Sequence, residues 1–271
     1  MIYKKYGQIF KKIRKQRKIS LSEFSAIGIS KPTLSRFERS ETMMSFDKVV
    51  QALQFMGISL EEYEYLLNDF YPNEPEILLR ELEVATIKND KKELNRLCKE
   101  TTIDYPYIAI SAKSRLIGLS QNEIETITSY LYDIKVWNLT ELWILYFTMD
   151  YLNTKDILYL IDLFLSDTNK IFNSPKHLSI LTQSCCQAVI ILSSRGYKEY
   201  GEYILGKIDS FNLINSMNLR NLYNFSRGYW KYKFTDKEDG NRLMLNALDI
   251  FFSISTIDIA NFYQKQYDSF I

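Results

Sequence analysis

The 271-residue chain holds one histidine, His177, with three cysteines, nine glycines and five prolines. A single imidazole leaves no room for a multi-histidine metal set, and a Ser-His-Asp constellation would have to be built on that one copy beside a helix start. The C-x-x-C, G-x-G-x-x-G, P-loop and H-E-x-x-H patterns are missing. Acidic residues are plentiful, yet no pair stands out for acid–base work. An enzyme is not expected, nor a metal or cofactor. Cys185 and Cys186 are adjacent, and neighbours on a helix point about 100° apart and seldom bridge, so the thiols read as reduced. Cys98 reads as a small buried hydrophobe or a redox handle. No run reaches the roughly 18 apolar residues of a membrane span, and no cleavable leader pattern opens the sequence. A cytoplasmic protein without a membrane partner is expected. Scarce Gly and Pro beside frequent Leu, Ile, Lys, Glu and Tyr favour helices, and the fold class expected is all-α.

What is present is unevenly distributed. Residues 1–40 carry eleven Lys and Arg against Glu23 and Glu38, a charge of +9, which leaves −8 for the rest of a chain whose total is +1. A polyanion is drawn to one end and mildly repelled by the remainder. A solvated basic helix face would give the same count, so the local pattern has to decide.

That pattern lies between Ile19 and Arg39. Tyr6, Ile9, Phe10 and Ile13 first predict an amphipathic helix over about 3–17. Ser20 and Glu23 have capping-box spacing and predict a helix opening at Leu21, with Phe24 and Ile27 on its apolar face. Gly28 suits a left-handed reversal. Ser30 can cap the next helix and Pro32 falls in its first turn, predicting a helix from Lys31 to about Ser40. Leu34 and Phe37 face inward, leaving Lys31, Thr33, Ser35, Arg36 and Arg39 outward, short hydroxyls beside long cations that suit reading base edges while gripping phosphates. With Ser30 and the first-helix cations Lys11, Lys12 and Lys15, these are the candidate DNA-binding residues.

At Ser20, Phe24, Gly28, Ser30, Leu34, Ser35, Phe37 and Glu38 the sequence resembles the helix-turn-helix of phage-repressor type. It departs at Leu21, where that family has Gln at a DNA-facing position, and at Ser40, where it has Gly in the following turn. The resemblance implies a five-helix lambda-repressor-like domain and a structural ion pair between Arg14 and Glu38. The run Leu34-Ser35-Arg36-Phe37-Glu38-Arg39, followed by a long helical chain, is similar to the Rgg/GadR/MutR regulators. That likeness implies a homodimer, an operator in double-stranded DNA and a short peptide pheromone as ligand.

Further on, Ser45 predicts a helix with Val49, Val50, Leu53 and Met56 that Gly57 ends. Ser59 and Glu62 form a second capping box before Tyr63, Leu66, Leu67 and Phe70. The DNA-binding domain is therefore placed at 1–70, a linker at 71–76, where Pro72 and Pro75 interrupt, and a ligand-binding and dimerisation domain at 77–271. Breaks near 138, 175, 217 and 256 recur about every 40 residues with two helix-length segments each, predicting stacked, tetratricopeptide-like hairpins without a repeated residue signature. Such a stack presents a concave groove to a peptide or a partner helix. Asp150, Asn153, Gln183, Gln187, Tyr223, Asn224 and Arg227 interrupt apolar helices and are the candidate peptide contacts, with Asn153 also fit to cap a helix. The aromatic residues, Trp137, Trp143 and Trp230 included, read mainly as core. The apolar set from Leu243 to Phe262 marks the last hairpin as a candidate dimer contact. Rival readings are a peptide-independent regulator whose helical domain holds a protein partner, and a scaffold whose basic end binds RNA or an acidic protein.

Overall fold

The computed structural model describes residues 3–166, 174–211, 213–214 and 216–271, and regular structure among them is entirely helical. Backbone contacts divide the chain into two compact units, Met1–Asn73 and Glu74–Ile271.

The first unit holds α1 (Tyr3–Gln16), a single 3-10 turn (Glu23–Ile27), α2 (Lys31–Glu38), α3 (Phe46–Phe55) and α4 (Leu60–Leu67). Phe10, Phe24, Leu34, Phe37 and Leu53 are buried at its centre, with the Phe10 ring 6.1 Å from Phe24 and 5.4 Å from Phe37. The helix expected to open at Leu21 is only that 3-10 turn. Half of its capping box forms: the Ser20 N–H donates to Glu23 Oε2 at 2.6 Å, but the Ser20 hydroxyl turns to Ser22. Gly28, at φ +74°, reverses the chain before an α-helical turn can propagate. The Ser59–Glu62 box closes in both directions, at 3.0 and 2.7 Å. Phe70 departs from expectation: α4 stops at Leu67, Asp69 and Phe70 adopt φ of 52° and 64°, and the Phe70 ring is 70% exposed.

Two backbone details fix how α1 meets α2. A Cβ on Gly7 would lie 1.9 Å from the Phe37 carbonyl oxygen, so the helices approach more closely there than any side chain allows. Ser40 holds φ +62°, the left-handed geometry for which Gly is the usual choice, and its hydroxyl donates to the Lys4 carbonyl at 3.1 Å. The turn thus survives the exchange of Gly for Ser.

The second unit runs α5 (Glu74–Lys88), α6 (Lys91–Glu100), α7 (Pro106–Leu116), α8 (Gln121–Asp133), α9 (Leu139–Thr148), α10 (Thr154–Ser166), α11 (Pro175–Ser194), α12 (Lys198–Ser210), α13 (Met217–Phe234), α14 (Lys237–Ile254) and α15 (Ile257–Phe270). The first of these begins inside the stretch expected as linker. The odd-numbered helices form an inner layer in which α5 packs on α7 and α9, α7 on α9, α9 on α11, and α11 on α13; α6 packs on α5 and α7, α12 on α11 and α13, and α14 on α13 and α15. The breaks expected near 138, 175, 217 and 256 are the starts of the inner helices α9, α11, α13 and α15. Finally α15 packs back against α5, so the first and last helices of the unit meet.

Close approach between α13 and α14 again needs glycine: a Cβ on Gly240 would fall 2.3 Å from the Tyr232 nitrogen. α11 is long and apolar enough to cross a membrane by length and composition, but 67% of that window is buried, with Leu181, Cys185, Cys186, Val189 and Leu192 in the main core. It is the central helix of the stack. Burial pushes the Cys186 thiol up to about 12 and Cys185 further, so both stay protonated. Cys98 is half-buried.

Candidate functional site: a cationic helix and an internal chamber

The recognition segment is organised from α2. Ser30 Oγ accepts from the Thr33 N–H at 3.3 Å, and the two hydroxyls lie 2.8 Å apart, so both are tied to the helix start while remaining at the surface. Lys31, Arg36 and Arg39 are exposed and Ser35 is half-buried. Arg39 pairs with Glu41 at 2.7 Å on a solvent-exposed site, a contact worth little and easily exchanged for another anion. The Arg36 guanidinium makes no hydrogen bond or ion pair among the described residues, while its carbonyl accepts from the Glu41 N–H at 2.9 Å. On α1, Lys12 and Lys15 are exposed one turn apart, and Lys11 is half-buried.

Behind this surface Arg14 and Glu38 lock α1 to α2. Arg14 Nε lies 2.5 Å from Glu38 Oε1 and Nη2 lies 2.9 Å from Oε2, while Nη1 donates to the Ile19 carbonyl at 2.6 Å. Both side chains are buried, and the hydrogen bond to Glu38 raises the Arg14 guanidinium above its ordinary value. A fork-to-fork pair with its third donor also satisfied suits two charges out of water.

In the second unit the helices line a chamber of about 180 Å³ that is half-open to solvent. α5 contributes Glu83, Thr86 and Ile87, and α9 gives Tyr146 and Phe147. Gln183 comes from α11, and Asn218, Leu219 and Leu222 from α13. Phe251 and Ser255 at the end of α14 and Ile259, Phe262 and Tyr263 on α15 complete the wall. Burial pushes the Tyr146 phenol up to about 12 and Tyr263 well above its usual value. Glu83 is the one carboxylate in the wall; its side chain makes no hydrogen bond or ion pair among the described residues, and burial raises its carboxyl against the opposing charge of Arg80 one turn back.

Of the seven residues expected to contact a peptide, the chamber includes Gln183. Gln187 follows one turn later on α11, its amide 3.4 Å from Asp150. Asp150 is held instead by Arg115, 2.8 Å away, and its carbonyl accepts from Arg195. Asn153 Oδ1 accepts from the Asp156 N–H at 3.0 Å, the capping role. Tyr223 is buried with its hydroxyl on Asp209 at 2.7 Å. Asn224 and Arg227 lie well round α13 from the side that carries Leu219 and Leu222. The sequence reading missed Glu83, although a lone carboxylate among Leu79, Leu82 and Thr86 at helical spacing was a visible signal. The aromatic residues read as core are core: Trp137, Trp230 and Phe251 are buried in the main cluster and Phe147 in its neighbour. Among the described residues no three His, Cys, Asp or Glu side chains converge as a metal set.

Residues 77–265 match the family described as "HTH-type transcriptional regulator Rgg, C-terminal domain", and residues 10–63 match a helix-turn-helix family. The chain belongs to the Rgg family. It is therefore a helix-turn-helix transcriptional regulator and not an enzyme. Solved structures share the fold over nearly the whole length. The Streptococcus dysgalactiae SHP pheromone receptor Rgg2 is 20% identical, with TM-score 0.80 over 98% of this chain and 100% of that one. A putative transcriptional regulator from Listeria monocytogenes EGD-e is 17% identical, with TM-score 0.81 over 99% and 97%. Bacillus thuringiensis PlcR, solved in complex with the peptide PapR7 and DNA, is 16% identical, with TM-score 0.65 over 99% of each chain. Rgg membership places the cationic α2 in the DNA-binding module and the chamber in the family's C-terminal domain.

Proposed function

We propose that this Rgg-family chain is a cytoplasmic quorum-sensing receptor, a homodimer that binds operator DNA and is controlled by a short peptide pheromone held on the inner face of the helical domain. The chamber carries this reading. A peptide can anchor apolar residues against the aromatic side chains of this chamber, with Gln183 and Asn218 beside its backbone. The similar protein PlcR, solved with a peptide and DNA together, has the same overall architecture.

DNA contact is assigned to Ser30, Lys31, Thr33, Ser35, Arg36 and Arg39, with Lys11, Lys12 and Lys15 on phosphates. Peptide contact is assigned to Gln183 and Gln187. Asp150, Asn153 and Tyr223 hold the surrounding elements through the contacts described above, and Asn224 and Arg227 lie at most on the peptide's periphery. Leu245, Ile250, Phe252, Ile254 and Ile257, all exposed on α14 and α15, are assigned to the contact with a second copy.

The test is binding of the purified chain to its own upstream DNA across a salt series, against a scrambled duplex, with and without peptides encoded beside its gene. Selective binding at two chains per site that a peptide shifts is the expected result. Salt-sensitive binding to both duplexes alike, indifferent to every peptide, would overturn it.

A further inference from the structure

We infer that the surface built by α8, α10 and α12 docks an arginine-rich segment of a partner protein, its guanidinium groups lying against exposed tyrosine rings and its backbone passing over Gly206. None of the three helices contributes to the chamber wall, so this surface is separate from the site assigned to the peptide.

Its first feature is a band of exposed tyrosines. Tyr132 on α8 stacks on Tyr159 of α10 with ring centroids 4.7 Å apart and planes within 9°, and the Tyr132 hydroxyl donates to Asp156 at 2.8 Å. Further along α10, Asp162 accepts from the Tyr203 hydroxyl of α12 at 2.7 Å. These bonds tie the band across three helices. Tyr132, Tyr159, Tyr200 and Tyr203 are all exposed, and clustered surface aromatics are the composition of a contact surface rather than of a solvated helix face.

Charge selects the partner. The three helices carry eight Asp and Glu against three Lys and no Arg. A phenol orients a carboxylate without neutralising it, and neither Asp156 nor Asp162 has an ion pair among the described residues. At one end the chain supplies its own cation: Lys207 Nζ lies 5.1 Å from the Tyr203 ring centroid and 5.6 Å from that of Phe211. At Tyr132, Tyr159 and Asp156 the rings and the carboxylate are present, but no cation lies over either ring among the described residues. Lys155 precedes Asp156 and projects about 100° round the helix from it. Arginine fits such a place better than lysine, because a planar guanidinium stacks on a ring while donating to a carboxylate. Nucleic acid is repelled by the same charge, and a second copy would bring an equally acidic face.

Gly206 is the independent sign that something approaches closely. It lies exposed within α12, in a shallow depression with Glu199, Glu202, Tyr203 and Lys207. A Cβ there would meet nothing within 4 Å, whereas one on Gly201 of the same helix would lie 2.7 Å from the Trp230 ring. Packing therefore explains Gly201 and not Gly206, although glycine weakens a helix interior. A notch beside two carboxylates and a tyrosine lets a partner's backbone come close.

The test is fluorescence anisotropy on the full-length chain at physiological salt, with two labelled peptides of equal length and charge, one alternating Arg and Gly, the other Lys and Gly. The Arg peptide should bind about tenfold more tightly. Replacing both rings, Tyr132→Ala with Tyr159→Ala, should remove most of that ratio. Gly206→Gln should weaken the Arg peptide about tenfold while melting at or above the wild-type temperature, which separates a docking role from a structural one. Equal or absent binding of the two peptides, or an Arg preference that survives both variants, would overturn the assignment. So would a self-association seen by light scattering that Gly206→Gln abolishes, because the face would then belong to a second copy.

Discussion

Glu38 in the DNA-binding unit and Glu83 in the helical unit are the same side chain treated in opposite ways. Glu38 is buried and given two hydrogen bonds by Arg14, so its charge is neutralised within the fold and the α1–α2 geometry follows from it. Glu83 lines a chamber and is given none. The difference separates a charge neutralised inside the fold from one left on the wall of a half-open pocket, with Arg80 one turn back.

The most disruptive way to break the comparison is Glu38→Ala, which leaves the Arg14 charge buried and alone. The first unit should lose about 3–5 kcal/mol, read as faster amide exchange in α1 and α2. A loss under about 1 kcal/mol would make the pair dispensable. Gly7→Ala comes next: a Cβ 1.9 Å from the Phe37 carbonyl oxygen must push α1 away, at a cost of about 1–3 kcal/mol or more, and chemical denaturation would show it. Arg36→Ala should spare stability and weaken operator binding by about 1–3 kcal/mol if it reads a base, or lower the salt slope by about one if it holds a phosphate. No change in either quantity removes it from the interface.

Glu83→Gln sharpens the contrast from the other side. A carboxyl raised by folding is more stable protonated, so the wild type loses stability as pH climbs from the ordinary carboxylate range through the raised value. The variant should be the more stable above that window and indistinguishable below it; thermal unfolding from pH 4 to 8 would show a pH-independent gap if this is wrong. Ser40→Gly should be the mildest, a gain of about 0.5–1 kcal/mol from relieving a left-handed serine, offset in part by the lost bond to the Lys4 carbonyl. Destabilisation would mean that bond outweighs the backbone strain.

Local chemistry made much of the architecture legible. Ser30, Ser59 and Gly28 announced helix ends because caps and reversals are settled within four residues, and the 40-residue rhythm of breaks fell on the starts of the inner helices. The chamber escaped for the opposite reason. Its wall joins α5 to α15, whose nearest ends, Lys88 and Ile257, are well over a hundred positions apart, and no local pattern says that Glu83 and Tyr263 share a space. Selecting polar residues on apolar helices found Asp150 and Tyr223, whose partners Arg115 and Asp209 stand on other helices and are brought to them only by the fold. The 3-10 turn was missed because a complete capping-box sequence preceded a glycine too close to allow a helix.

The meeting of α5 and α15 also orders events during synthesis. Domains fold as they emerge, the earlier one first, so the DNA-binding unit is complete while α15 has yet to leave the ribosome. For that interval the pocket lacks the wall that Ile259, Phe262 and Tyr263 supply with the last helix.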